Sequence, residues 1–305
     1  MKDLSRRQWL QLMSALGVSA ASGVACATTA KPVRAVIPRT GEPLPVIGLG
    51  TWQTFDVGRS AAAREPLREV LREFAALGGK VVDSSPMYGE SERVVGDLTA
   101  ELGLRDKLFL ATKVWTSGHD AGVAQMQESL KLLRAGRLDL MQVHNLVDWR
   151  THLATLRKWK EQGKVRYIGV THYTEGAYDD LERVLKSEEL DFVQLNYSIA
   201  EREAEKRLLP LAAERRVAVI ANRPFAKAVL FEKVRGKDLP EWAREIGCTT
   251  WAQYFLKFVV SHPAVACAIP ATSKLTHLRD NMQAGFEPMP SAAQRERMAR
   301  EVARL

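Results

Sequence analysis

The sequence predicts an α/β domain built as a parallel (β/α)8 barrel, preceded by a short β-hairpin. Three observations carry that expectation. First, short apolar runs recur at 45–49, 80–83, 108–113, 138–144, 165–170, 191–197, 217–221 and 264–269. Each is rich in Val, Ile, Leu or Phe, as strands buried on both faces should be. Second, helical patterns lie between the runs. Third, the ends of the second, third and fourth runs, at Asp83, Lys113 and His144, step by 30 and then 31 residues, the length of a whole strand-and-helix unit. Eight such units close a barrel of the TIM type. The rival is a doubly wound dinucleotide fold. Its fingerprint begins at Gly48-Leu49-Gly50 but lacks the third glycine.

In chain order, residues 1–30 read as a signal segment and 31–305 as the barrel. Ser5-Arg6-Arg7-Gln8-Trp9-Leu10 precedes a weakly apolar run rich in Ala, Gly and Ser. That run is too short and polar for a span of about 20 apolar residues. The arginine pair resembles a twin-arginine (Tat) export signal, and Ala25-Cys26-Ala27 resembles a cleavage site. The expectation is a periplasmic protein carried by the Tat machinery, favoured over a lipoprotein anchored at Cys26. Next, 34–37 and 44–46 flank Thr40-Gly41-Glu42 as a hairpin. A helix over 61–77 carries Leu67, Val70, Leu71 and Phe74 on one face, and one over 121–133 carries Val123, Met126, Leu130 and Leu133. A helix over 273–282 opens on Ser273 as its cap. Residues 231–247 read as a substrate-side insertion, and a polar helix follows from Ser291.

Apolar residues make up 46% and charged residues 26%, which excludes disordered, collagen-like and coiled-coil chains. Net charge is +8, but no Lys/Arg block exceeds two adjacent residues, so a solvated basic surface is favoured over a nucleic-acid or membrane patch. Cys26, Cys248 and Cys267 form no CxxC pair, which excludes a disulfide scaffold and a cysteine-built zinc site. Cys267, in an apolar run, reads as a buried small hydrophobe. Nothing suggests a large apolar interface, so the expectation is a monomer.

Barrel chemistry sits where strands end. Asp83, Lys113 and His144 end three consecutive runs, and Tyr88 lies five residues beyond Asp83. Each alone has a plain reading as a loop cap, a solvated lysine or a structural ring. Neighbouring strand ends let all four converge. With them stand Val82-Asp83-Ser84-Ser85-Pro86-Met87-Tyr88-Gly89, Ala111-Thr112-Lys113 and Leu140-Met141-Gln142-Val143-His144-Asn145. Gly163-Lys164-Val165-Arg166-Tyr167-Ile168-Gly169-Val170, Val193-Gln194-Leu195-Asn196-Tyr197-Ser198 and Ile269-Pro270-Ala271-Thr272-Ser273-Lys274 follow. Through these segments the chain, over about residues 44–285, resembles the aldo-keto reductase superfamily.

The resemblance implies a catalytic tetrad of Asp83, Tyr88, Lys113 and His144. It also implies NADPH-dependent reduction of a small carbonyl substrate. The chemistry fits. Adding hydride to a carbonyl leaves an alkoxide, which needs a proton and positive potential. A tyrosine of ordinary pKa near 10 needs help, and an adjacent lysine is expected to lower that pKa. Asp83 would hold Lys113, and His144 would polarise the carbonyl. The hydride must come from a nicotinamide.

For the cofactor, the resemblance implies Tyr197 stacked on the nicotinamide and Gln194, Thr171 and His172 at its carboxamide. His172 departs from the asparagine usual there. It further implies Pro224 and Phe225 over the pyrophosphate, Ser273 and Lys274 at a 2′-phosphate, and Asp280 and Asn281 near adenine. A helix N-terminus favours a phosphate there. Trp52, Phe55 and Trp115 would line an apolar substrate mouth. The long carboxy-terminal specificity loop of some relatives has no counterpart after Gly285, so an open pocket is expected. A non-enzymatic NADPH-binding barrel, acting as redox sensor or partner subunit, is the alternative. A metal-dependent hydrolase using Asp83 and His144 is disfavoured because no second His or carboxylate pair stands at the strand ends, so no metal is expected.

Overall fold

The computed structural model describes residues 32–305. The expected signal segment at 1–30 and the expected cleavage site at 25–27 lie outside the described residues. A hairpin of β1 (Arg34–Val36) and β2 (Pro43–Pro45) comes first, antiparallel with Arg34 opposite Pro45. Eight parallel strands follow: β3 (Leu49–Gly50), β4 (Val81–Asp83), β5 (Phe109–Val114), β6 (Leu138–His144), β7 (Val165–Thr171), β8 (Phe192–Asn196), β9 (Ala218–Asn222) and β10 (Val265–Ala268). They pair in sequence order, β3 to β10. Parallel bridges Ile47–Ala268 and Gly50–Ala271 join the two edges and close the barrel. The first barrel strand starts later than the run 45–49 suggests. Pro43 and Pro45 belong to the hairpin, and the chain enters the barrel only through the Val46 carbonyl and Gly48 N–H, both bonded to Ala268.

The helices form the outer layer: α1 (Ala61–Ala76), α2 (Ser91–Glu101), α3 (His119–Leu132), α4 (Trp149–Glu161), α5 (Tyr178–Ser187), α6 (Leu208–Glu214), α7 (Val229–Lys233), α8 (Trp251–Val260), α9 (Leu275–Gln283) and α10 (Ala292–Arg304). The buried side chains of α1 are Leu67, Val70, Leu71 and Phe74, the face its 3.6-residue period marks. Ser60 caps it, accepting the Ala63 N–H. Helix α9 departs from expectation. Its N-cap is Lys274, which gives no side-chain bond, and the local hydroxyl is Thr272, whose Oγ1 accepts the Lys274 N–H at 3.0 Å.

Two apolar cores result. One lies between strands and helices. The other fills the barrel, with Val81, Ala111, Leu140, Ile220 and Cys267 inside. Phe109, Tyr167 and Phe192 meet with ring centres 5.6 to 6.0 Å apart, and Ile37 and Leu44 of the hairpin cover them, both fully buried. The hairpin thus plugs the end where strands begin. The opposite end stays open for chemistry. Gly48 is required by close packing: a Cβ there would come within 2.9 Å of Cys267 Sγ and 3.0 Å of the Val81 carbonyl. Burial pushes the Cys267 thiol up, which leaves it an inert hydrophobe.

Residues 231–247 are only partly on the open end. Phe231 faces the cavity there. Trp242, Ala243 and Ile246 are buried instead, and the Trp242 indole donates to Glu301 of α10 at 3.0 Å. Helix α10 is less polar than expected, because it buries Met298, Ala299, Val302 and the stem of Arg295.

Candidate active site

At the open end, the four strand-end side chains converge. Lys113 Nζ donates to Asp83 Oδ2 at 2.6 Å and to the Ser84 carbonyl at 2.7 Å. Lys113 is fully buried and Asp83 is 2% exposed. The Tyr88 ring centre lies 5.1 Å from that ammonium, and the His144 ring meets Tyr88 edge-on at 5.9 Å. A turn delivers the tyrosine: the Tyr88 N–H donates to the Ser85 carbonyl at 3.0 Å, with Pro86 at the second position, which suits its fixed φ.

Electrostatics follow from the burial. Burial opposes the Lys113 charge, but Asp83 and Tyr88 outweigh it and hold the ammonium above its usual pKa. Burial also pushes the Asp83 carboxyl up against the pull of Lys113. With the two groups 2.6 Å apart and the Ser84 carbonyl on the ammonium, the charged pair is the form this geometry fits. Tyr88 differs from expectation. Burial raises its pKa and outweighs the lowering by Lys113, so the phenol keeps its proton across neutral pH. Burial, Lys113 and His172 push His144 down to about 2, so its imidazole is neutral.

A cavity of about 1060 Å³ opens over these groups. Asp83, Tyr88 and His144 line its floor, with Trp52, Met87 and Trp115 on one side. Thr171, Gln194, Pro224, Phe225, Asp280 and Asn281 also line it. Gln194 is already engaged, since its Oε1 accepts from Gln142 Nε2 at 2.9 Å. Asp280 accepts from Thr250 Oγ1 at 2.9 Å and from Gln253 Nε2 at 2.7 Å, so it also steadies the start of α8.

Five expected cofactor and substrate residues lie off the cavity wall. Tyr197 is fully buried, and its hydroxyl donates to Glu205 and accepts from Arg295 at 2.7 Å. It packs against Phe258 and His262 and does not line the cavity. Phe55 is fully buried in the outer core and does not reach the cavity. His172 caps its own loop: Nδ1 accepts the Tyr173 N–H at 3.1 Å, and the ring stacks on Tyr173 at 5.6 Å. Tyr173 lines the cavity in its place. Ser273 stands beside the wall rather than on it. Lys274 is exposed at the start of α9 and makes no ion pair among the described residues, and it too is off the cavity wall.

Other cavity residues escaped the sequence reading. Gln142 is fully buried beneath the floor. A glutamine inside an otherwise apolar run was its signal. Asn145, Asn222, Arg223 and His277 line the wall. Arg223, Ala226, Lys227 and Ala228 hold φ of 52°, 47°, 55° and 70°. Such left-handed conformations in non-glycine residues cost roughly 1–2 kcal/mol each, and they cluster at ligand clamps. In the loop 223–228, Arg223, Pro224, Phe225, Lys227 and Ala228 line the cavity.

A sequence model of the Aldo/keto reductase family matches residues 46–296. The chain belongs to the aldo/keto reductase family. It is 30% identical over 246 residues to "Methylglyoxal reductase YeaE" of Escherichia coli, covering 78% of this chain and 84% of that protein. Its fold superposes on an aldo-keto reductase from Klebsiella pneumoniae in complex with NADPH, with a TM-score of 0.73 at 28% identity over 90% of this chain and 95% of the other. A second Klebsiella pneumoniae structure, in complex with NADP and acetate, gives a TM-score of 0.71 at 28% identity, covering 86% and 93%. The family is one of NAD(P)-dependent oxidoreductases that act on carbonyl compounds.

The lowered pKa of His144 gives a test. In an NMR titration its ring resonances should not change between pH 5 and 8, the window in which an ordinary histidine titrates. A midpoint inside that window would contradict the burial-driven shift.

Proposed function

We propose that this protein reduces aldehydes and ketones to alcohols with NADPH. The observation that carries the reading is the buried Lys113–Asp83 pair set under Tyr88, with a neutral His144 beside it on the cavity floor. The cavity suits a dinucleotide: the Oδ1 atoms of Asn145 and Asn222 are buried on its wall without partners among the described residues, and amide or ribose donors would satisfy them. Thr171, Gln194 and Asn222 would hold the nicotinamide end, and the 223–228 loop would cover the middle. His277 on the wall would meet the 2′-phosphate, and Lys274, exposed just off the wall at the start of α9, would reach it from outside. A reduced nicotinamide bound there supplies the hydride.

The chain's own residues do the rest. Tyr88 holds the proton that the carbonyl oxygen takes up. Lys113 places a positive charge beneath the phenol and stabilises the phenolate left behind. Asp83 keeps Lys113 charged and fixed in place. His144 donates a hydrogen bond to the carbonyl oxygen, and the donor is already oriented as charge develops there. Trp52, Trp115 and Met87, each 39–44% exposed, bring no charge to the substrate side, which favours an uncharged, apolar carbonyl compound.

Two measurements test this reading. Tyr88→Phe should lower reduction of a test aldehyde such as 4-nitrobenzaldehyde by about 10²–10⁴-fold, with NADPH binding nearly intact; more than half the wild-type rate would sink the assignment. Lys274→Ala should weaken NADPH by about ten- to a hundredfold, as expected for a charge-assisted hydrogen bond of roughly 1.5–3 kcal/mol. Fluorescence titration should show NADH almost unmoved. Equal losses for both nucleotides would mean that Lys274 does not read the 2′-phosphate.

A further inference from the structure

A neutral histidine donates from only one of its two ring nitrogens, and the partner of the other nitrogen decides which. His144 Nδ1 lies 2.9 Å from Ser85 Oγ, and both residues are buried. The same oxygen accepts the Met87 backbone N–H at 3.3 Å. Among the described residues these are the only hydrogen-bond partners of Ser85 Oγ. A hydroxyl has one proton and two lone pairs. If Nδ1 carried the imidazole proton, both neighbours would donate to Oγ. The Ser85 proton would then be buried with no acceptor, which is costly. If Nδ1 is bare, every group is satisfied: Met87 N–H donates to Oγ, and Oγ–H donates to Nδ1. The proton of His144 then sits on Nε2. That atom makes no hydrogen bond with any described residue, and His144 lines the cavity.

We propose that Ser85 is a positioning residue that locks His144 in the Nε2–H tautomer and aims that N–H at the substrate oxygen. The turn that delivers Tyr88 delivers this hydroxyl as well, because Ser85 and Tyr88 are its first and last residues. The proton donor and the carbonyl polariser are therefore set by one turn. Ser85 itself is fully buried and does not line the cavity, so it acts only through His144. The catalytic consequence rests on the carbonyl-reductase reading, whereas the tautomer does not.

Long-range ¹H–¹⁵N correlation spectra of the histidine rings give the direct readout. Wild type should show His144 with a bare Nδ1 and a protonated Nε2. Ser85→Ala should shift both ring nitrogens towards a mixture of tautomers. The same variant should lose about three- to tenfold in kcat, the worth of one neutral hydrogen bond, with the Kd for NADPH unchanged. In a His144→Ala background, adding Ser85→Ala should cost nothing more. A protonated Nδ1 in wild type, an unchanged spectrum in Ser85→Ala, or equal losses in both backgrounds would overturn the proposal. A wild-type protein that reduces no carbonyl would defeat the functional reading, while the spectrum would still decide the role of Ser85.

Discussion

The buried ion pair between Lys113 and Asp83 is the constraint around which the open end of the barrel is arranged. Two charges at 0% and 2% exposure are expensive to bury, and breaking such a pair from one side typically costs about 3–5 kcal/mol. The surroundings meet that cost with matched partners. Lys113 also donates to the Ser84 carbonyl. Gln142 and Gln194 turn amide groups towards the Asp83 carboxylate at 3.5 Å. Thr51 Oγ1 donates to the Asp83 carbonyl at 3.0 Å, which ties the first barrel loop to the second strand. A pair so enclosed contributes little to stability by itself. What it provides is a fixed positive charge under one phenol.

That charge has to be read together with burial. Lys113 alone would make Tyr88 more acidic, yet burial wins and the phenol stays protonated. On the proposed carbonyl-reductase reading this is the useful direction, since the group must still hold a proton when the carbonyl oxygen needs one. The same ammonium helps to keep His144 neutral. One buried lysine thus supports two neighbours in different roles: a tyrosine that carries a proton and a histidine that stays uncharged.

The convergence of Asp83, Tyr88, Lys113 and His144 was legible in the sequence because each ends or closely follows one of three consecutive strands, and strand ends meet in a barrel whatever the details. Tyr197 was not legible for a related reason. It also follows a strand, but its fate is decided by Arg295, almost a hundred residues later, which draws its hydroxyl into the packing of α10. Phe55 and His172 turn on similar local choices. An apolar ring after a strand can fill the outer core or the cavity, and a histidine before two free N–H groups can cap them. Neither alternative leaves a mark in the pattern of residue types. The cap of α9 shows the same limit, where Thr272 rather than Ser273 supplies the hydroxyl.

Transfer of labelled hydride tests the central claim most directly. Purified protein is incubated with NADPH deuterated at both C4 positions and with an aromatic aldehyde, and the alcohol is analysed by mass spectrometry. The account predicts one deuterium per alcohol, on the former carbonyl carbon, formed in step with NADPH oxidation. Alcohol without deuterium, or NADPH bound with no alcohol formed, would contradict it.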